Sequence, residues 1–345
     1  MSIFKEVDAK DNIYILGIET SCDDTCASIV GNGSEILSNV VSSQNEIHRK
    51  YGGVVPEVAS RRHIEMIDIV IGEALEKAGK NLKEIDAVSV TNRPGLIGSL
   101  LVGVGAAKAI SYAMKIPLIA VNHLEAHLYS NLLENQGMTG DFLGLIVSGG
   151  HSSLYLVDGE WKISELGHTV DDAAGEAFDK IARYLGLGYP GGPIIDKMSK
   201  EGNEEAIDFP RPMIDSGDFN FSFSGLKTAL IYRTKKNRDL LDKNNTADLV
   251  ASFQKAVVDV LVHKTISAAR QSGVDQVLVS GGVAANSRLR EELIKKGEEN
   301  NIKIYIPSLH LCMDNAAMVG CLGYYRYIRG FISDIEIDVS SRSDF

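Results

Sequence analysis

The sequence predicts an α/β protein of two related lobes, and three observations carry that expectation. At 345 residues, 44% of them hydrophobic and 23% charged, the chain has material for about two buried cores. Strand-like runs alternate with helix-like segments whose apolar residues recur three and four apart, the mark of a mixed α/β sheet. A strand–turn–strand unit also occurs twice, once near the start and once near residue 142, as a duplicated domain would require.

The first unit is the apolar run 13–18, the polar turn Glu19-Thr20-Ser21-Cys22-Asp23-Asp24 and the apolar run 26–30. The second is 142–147, Ser148-Gly149-Gly150-His151 and 153–157. A third strand, 276–279, ends in Ser280-Gly281-Gly282 and leads through Asn286 into a helical stretch, 288–300. Helices are expected at 64–78, through Ile64, Ile67, Ile71 and Leu75, and at 249–269. The acid-rich stretch 202–220, with Pro210 and Pro212, reads as a loop.

The opening MSIFKEVDAKDN mixes both charges without a hydrophobic run, and apolar runs such as 118–121 fall far short of the roughly 20 residues that cross a bilayer. A cytoplasmic protein without a membrane span is expected. Four cysteines without a C-x-x-C pair argue against a zinc ribbon, a thioredoxin-type site and a disulfide framework. A net charge of -11 repels polyanions unless bases gather on one face. Arg61-Arg62-His63 and Arg233, Lys235, Lys236 and Arg238 are the local clusters available for that.

In His123-Leu124-Glu125-Ala126-His127, Asn122 is placed to cap a helix, with Glu125 at its third position, and the histidines, four apart, share one face. Two such imidazoles can chelate a metal or be plain hydrogen-bonded side chains. The glutamate does not directly follow the first histidine, so the H-E-x-x-H protease pattern is absent. Three Gly-rich turns, at 148–151, 189–193 and 280–282, can aim backbone N–H groups at phosphate, although any one alone is an ordinary turn. Neither a P-loop nor a full dinucleotide fingerprint is present, and Gly98, Gly103, Gly105, Ala106 and Ala107 suit close helix packing. Asp172, Glu176 and Asp179 are expected on one helix face, either solvated or holding ligand hydroxyls. Asp314 precedes a small-residue helix, where an N-cap is the simplest role. Glu19, Asp23 and Asp24 are turn residues or neighbours of a reacting centre.

Together these segments resemble the universal tRNA threonylcarbamoyltransferases of the TsaD (YgjD, Gcp) family, once described as O-sialoglycoprotein endopeptidases. The likeness runs nearly the whole chain through residues 17–23, 51–57, 123–127, 147–151, 171–180, 189–193, 221–227, 280–286 and 314–315. Leu124-Glu125-Ala126 and Phe221-Ser222-Phe223-Ser224-Gly225-Leu226-Lys227 look like its bacterial or organellar branch. The resemblance implies a two-lobed actin-like ATPase (ASKHA) fold, residues 1–140 with 312–345 forming one lobe and 141–311 the other, with an adenylate or ATP-type nucleotide in the cleft.

It further implies His123, His127 and Asp314 as ligands of one divalent metal ion, Fe2+ with Zn2+ as the alternative. Ile146, Val147, Ser148, Gly149, Gly150, Asp179, Gly192 and Asn286 would contact the nucleotide-bearing substrate, with Asp196 joining them. The implied reaction moves the threonylcarbamoyl group from threonylcarbamoyl-AMP to the adenosine just 3′ of the anticodon, and Asp23, Asp24 or His151 would take the amine proton. Implied partners are tRNA, an actin-like TsaB-type paralogue, a TsaE-type ATPase and the enzyme that makes the adenylate, with a homodimer the alternative for a mitochondrial version. Where the family carries Gly-Pro-Gly, this chain has Arg93-Pro94-Gly95, so an arginine fills a glycine's place and is available to a phosphate. The competing classes are a sugar or acyl-phosphate kinase of the same fold and a non-catalytic scaffold paralogue.

Overall fold

The computed structural model describes residues 12–135, 138 and 140–342. The mixed-charge opening at residues 1–11 lies outside them. The chain divides into two compact units, Met1–Met138 with Asp314–Phe345, and Thr139–Met313.

In the first unit, β1 (Tyr14–Glu19), β2 (Asp24–Gly31) and β3 (Glu35–Ser43) form an antiparallel meander. After the short α1 (Asn45–Arg49) comes α2 (Pro56–Lys77), which starts eight residues before the apolar periodicity does. Pro56 explains the difference: a proline at the first helical position loses no hydrogen bond and presets φ, a start that hydrophobic spacing does not report. β4 (Ala87–Arg93) and β5 (Leu118–Asn122), separated by α3 (Ile97–Met114), add in parallel beside β1, giving the order β3-β2-β1-β4-β5. α4 (His123–Tyr129) follows β5 without a break.

α3 is the longest apolar stretch among the described residues. Its 18 residues are long and apolar enough to cross a membrane by length and composition alone, and a third of it is buried within the fold. Gly98 and Gly103 meet neighbours closely, a Cβ on them lying 2.5 Å from Ser60 Oγ and 2.4 Å from Thr20 Oγ1, whereas Gly105, expected to pack closely too, is exposed and a Cβ there meets nothing within 4 Å.

The second unit repeats the plan. β6 (Phe142–Val147), β7 (Ser152–Val157) and β8 (Ile163–His168) form the meander, then α5 (Ala174–Tyr184), α6 (Gly191–Ser199), α7 (Ser224–Lys236) and α8 (Lys243–Ser272) intervene. β9 (Gln276–Ser280), α9 (Ser287–Glu299), β10 (Lys303–Tyr305) and α10 (Leu309–Cys312) complete it. The order β8-β7-β6-β9-β10 has the same connectivity as the first sheet, with β9 and β10 parallel to β6. Strands buried on both faces, as β6 is throughout, read as continuous apolar runs rather than alternation. The stretch 202–220 has no helix or strand, and α8 fastens it. Arg211 bonds Asp259, the buried Lys264 bonds Asp218 and Ser216, and Phe209 packs on Phe253.

The chain then returns to the first unit as α11 (Ala316–Ile328). α2 and α3 cover one face of the first sheet, where Leu16, Ile18, Ala27 and Ile29 meet Ile67, Val70, Ile71 and Val104. α11 lies directly on β1 because Gly17 has no side chain. A Cβ there would sit 2.3 Å from the Ala316 carbonyl oxygen and 2.7 Å from the Gly320 nitrogen. That contact sets where Asp314, two residues before α11, is delivered.

Candidate functional site

The Asn122 carboxamide caps α4, accepting from the Leu124 and Glu125 amides at 2.8 and 3.3 Å. The helix thereby presents His123 and His127 on one face, their ring centroids 4.6 Å apart. Asp314 is not the N-cap of α11: Asn315 takes that position and accepts from Met318 N at 3.1 Å. The Asp314 carboxylate instead faces the imidazoles, Oδ1 lying 3.5 Å from His123 Nε2 and 3.2 Å from His127 Nε2.

The three side chains can hold a metal ion. Their ligand atoms all lie within 4.8 Å of one another. Donors about 2.1 Å from a four-coordinate ion stand about 3.4 Å apart, close to the two distances here. The site also draws positive charge. Burial works to lower the His123 pKa, yet the Glu19 and Asp314 carboxylates outweigh it and lift it to about 9. Burial, joined by the charge of His123, lowers that of His127, whose Nδ1 is buried without a hydrogen-bond partner. The histidines are buried while a quarter of the Asp314 side chain is exposed, which leaves an open side of the kind catalytic metal sites keep.

Behind His123 stands Glu19. Its carboxylate, wholly buried, meets His123 Nδ1 at 2.9 Å and accepts from Thr91 Oγ1 and Ser21 N, each at 2.6 Å. Burial pushes the Glu19 pKa up, but His123 pulls it below the ordinary value, so the pair is a charged one. A carboxylate on the far nitrogen fixes tautomer and ring orientation. Only the turn position of Glu19 was legible in the sequence, because its partner is 104 residues away.

Asp23 lies on the β1–β2 turn of the same unit and Asp24 opens β2. Burial raises both, and for Asp24 the neighbouring Asp23 and Asp314 add to burial, pushing it up to about 7. Asp24 Oδ1 is buried and unbonded. The buried His63 spans this turn, Nε2 at 3.0 Å from the Cys22 carbonyl and Nδ1 at 2.8 Å from Thr25 Oγ1. Arg93 has a negative φ, so its backbone needs no glycine, and its Nε is buried without a hydrogen-bond partner.

The nucleotide candidates gather in the second unit. Two Ser-Gly-Gly turns end the adjacent parallel strands β6 and β9, where Ile146 pairs with Ser280. Gly281, at φ 93°, presses on the Val147 carbonyl, where a Cβ would sit at 2.3 Å. The N-terminus of α5 rests on the first turn, Gly175 N donating to Ser148 O at 3.1 Å. Around Gly149, Gly150, Gly192 and Gly282 a Cβ would meet nothing within 4 Å, so the backbone there is open to a ligand.

The first turn does not free all its amides as expected. Ser148 N donates to His151 O at 2.8 Å and Gly150 N to Ser148 Oγ at 3.3 Å, leaving Gly149 N without a partner among the described residues. Asp179 accepts from Gly191 N at 2.6 Å and so holds the 191–192 turn. Asp196 accepts from Ser287 N and Oγ at 3.2 and 2.9 Å. Asn286 caps α9 and donates to Gln254 at 2.8 Å. Asp172 does not share a helix face with Glu176 and Asp179: α5 begins at Ala174, and Asp172 instead bonds Lys180 and Lys227 at 2.7 and 2.8 Å. His151 belongs to this unit, and Asp23 and Asp24 to the first.

Two such sheets of one connectivity define the actin-like ATPase fold. Solved structures that share it include the activator of the 2-hydroxyisocaproyl-CoA dehydratase from Clostridium difficile with bound ADPNP, at a TM-score of 0.55 and 16% identity over 94% of this chain and all of that one. HypF from T. kodakarensis is also similar, at 0.61 and 16% identity over 93% of this chain and 49% of that one. At the level of sequence, a family model described as TsaD, tRNA N6-adenosine threonylcarbamoyltransferase, matches residues 35–321. Relatives bearing that name include one from Clostridium botulinum (strain Kyoto / Type A2), 52% identical over 95% of this chain and 97% of its own length. Another, from Clostridium perfringens (strain 13 / Type A), is 49% identical over 95% of this chain and 97% of its own length. The chain belongs to the TsaD family.

Proposed function

We propose that the protein transfers the threonylcarbamoyl group of threonylcarbamoyl-AMP to N6 of the adenosine 3′ to the anticodon in tRNAs reading ANN codons. A bond forms between N6 and the carbamoyl carbon, the bond from that carbon to the phosphate oxygen breaks, AMP leaves and the amine gives up a proton. Membership of the family is the observation that carries this reading.

His123, His127 and Asp314 are the residues that would hold a divalent cation, Fe2+ with Zn2+ equally admitted by the donor set. Such an ion supplies Lewis-acid polarisation of an acyl oxygen and neutralises developing negative charge. Glu19 orients His123 in support. In the second unit, the unpaired Gly149 amide is the donor best placed to meet the phosphate, and the open backbone at Gly192 admits the nucleoside. Asp179, Asp196 and Asn286 hold that surface in shape, and Ile146 and Val147 form the strand end beneath it. Of Asp23, Asp24 and His151, Asp24 is the acceptor favoured here, because its Oδ1 is buried with no hydrogen-bond partner among the described residues.

The two units correspond on this reading to the lobes 1–140 with 312–345 and 141–311. A TsaB-type paralogue, a TsaE-type ATPase and a cytoplasmic location follow from the same reading, as does a homodimer in a mitochondrial version. Neither a kinase nor a scaffold role is favoured by any observation. Incubating the protein and its partners with synthetic threonylcarbamoyl-adenylate and unmodified tRNA should yield the modified adenosine and AMP. AMP release without modified tRNA would overturn the assignment.

A further inference from the structure

Residues 219–238 contain five bases and no acid, in a chain whose net charge is -11. Lys227 is bound to Asp172, and Arg233 donates to the Asp208 carbonyl and lies over the Phe209 ring. Lys235, Lys236 and Arg238 are exposed, and no carboxylate among the described residues pairs with them. Tyr232 is 67% exposed. Residues three and four apart share a helix face, so Tyr232, Lys235 and Lys236 form one surface at the end of α7. Cations in a last turn also answer the helix dipole, but that gives no reason to expose an aromatic ring beside them. The other basic cluster does not compete: His63 is buried under the Cys22–Thr25 turn, and Arg62 pairs with Glu65 at 2.7 Å.

The same helix is anchored at its other end to the nucleotide turns. Asp171 accepts from the Ser222 and Ser224 hydroxyls and from the Phe223 amide, and Asp172 takes Lys227. These two acids lead into α5, which rests on Ser148. α7 is therefore a rod whose basic end stands about 18 Å along its axis from that anchor, at roughly 1.5 Å per residue.

We propose that Tyr232, Lys235, Lys236 and Arg238 grip the substrate tRNA, the cations on backbone phosphates and the tyrosine ring against an unpaired base of the anticodon loop. Phosphate contacts supply position and salt dependence, while unstacked RNA bases lie on aromatic faces. The proposal rests on the transferase reading above.

The test uses the full chain assembled with its partner proteins, synthetic threonylcarbamoyl-adenylate and unmodified tRNA. If the wild-type assembly modifies no tRNA, the transferase reading itself fails, and the proposal with it. With an active wild type, K235A/K236A/R238A should raise the tRNA KM about tenfold or more, leave kcat and the adenylate KM within about twofold, and reduce the salt slope of tRNA affinity by about 2 to 3. Tyr232→Ala should weaken tRNA about tenfold with the slope unchanged, and Tyr232→Phe should bind as wild type does, because stacking needs the ring and not the hydroxyl. The exposed-lysine control K77A/K83A/K295A should change neither. The surface assignment is overturned if the triple variant matches that control, if Phe is as weak as Ala at 232, or if the triple variant sheds its protein partners while the assembled remainder binds tRNA normally.

Discussion

Replacing Gly17 by alanine tests whether the β1–α11 contact governs the candidate metal centre. An ordinary contact begins near 3.4 Å, and the new methyl would lie 2.3 Å from the Ala316 carbonyl oxygen, 2.7 Å from Gly320 N and 2.9 Å from Ser28 Oγ. The two nearest atoms are backbone and cannot rotate away as Ser28 Oγ could, so strand or helix must move by about 1 Å. Overpacking of this kind costs about 1 to 3 kcal/mol, and the upper half of that range is expected here. The displaced helix begins two residues after Asp314, and metal–ligand distances tolerate only about 0.2 Å. Urea unfolding of the chelated protein should therefore register a loss of about 2 to 3 kcal/mol, and calorimetric titration with Zn2+ an affinity about tenfold or more below wild type. Gly105→Ala, where a Cβ meets nothing within 4 Å in the interior of α3, should be neutral or slightly stabilising. A Gly17→Ala protein that unfolds more readily yet binds metal normally would refute the coupling of β1 to Asp314 through α11.

Other perturbations probe the same chain of causes. Glu19→Gln removes the charge behind His123 and should weaken Zn2+ binding by about 10- to 100-fold in calorimetry, while unchanged affinity would deny Glu19 its orienting role. Asp24 bears on pH dependence: with its folded pKa raised from 3.8 to about 7, the native state holds a proton that the unfolded chain has lost, so Asp24 subtracts stability as pH rises through that window. In the chelated protein, Asp24→Asn should match wild type near pH 4 and exceed it by about 2 to 4 kcal/mol at pH 8, measured by urea midpoints at each pH; a gap that does not change with pH would contradict a carboxyl that holds its proton in the folded chain. Gly192→Ala should leave the melting temperature within a few degrees and raise the KM for threonylcarbamoyl-adenylate about tenfold or more, since its methyl enters open space; a normal KM would remove Gly192 from the substrate surface.

Local sequence determined the elements whose cause is itself local. Continuous apolar runs gave β1, β2, β6, β7 and β9, the three-and-four spacing gave the bodies of α2 and α8, the stretch after the 280–286 turn gave α9, and the recurrence of a hairpin signalled the duplication now seen as two sheets of one connectivity. The four-residue spacing of His123 and His127 on an Asn-capped helix is likewise a property of one short segment. What only tertiary structure decided involves partners far apart in the chain, which leave no periodic trace. Asp314 reaches His127 across 187 residues, and Glu19 reaches His123 across 104. Asn315 rather than Asp314 caps α11, and Asp172 falls outside α5, because a helix boundary is settled by which side chain finds the free amides once neighbouring elements are in place. The close seat of α11 on β1 depends on Gly17 meeting one particular carbonyl, a steric fact that appears only when strand and helix are brought together.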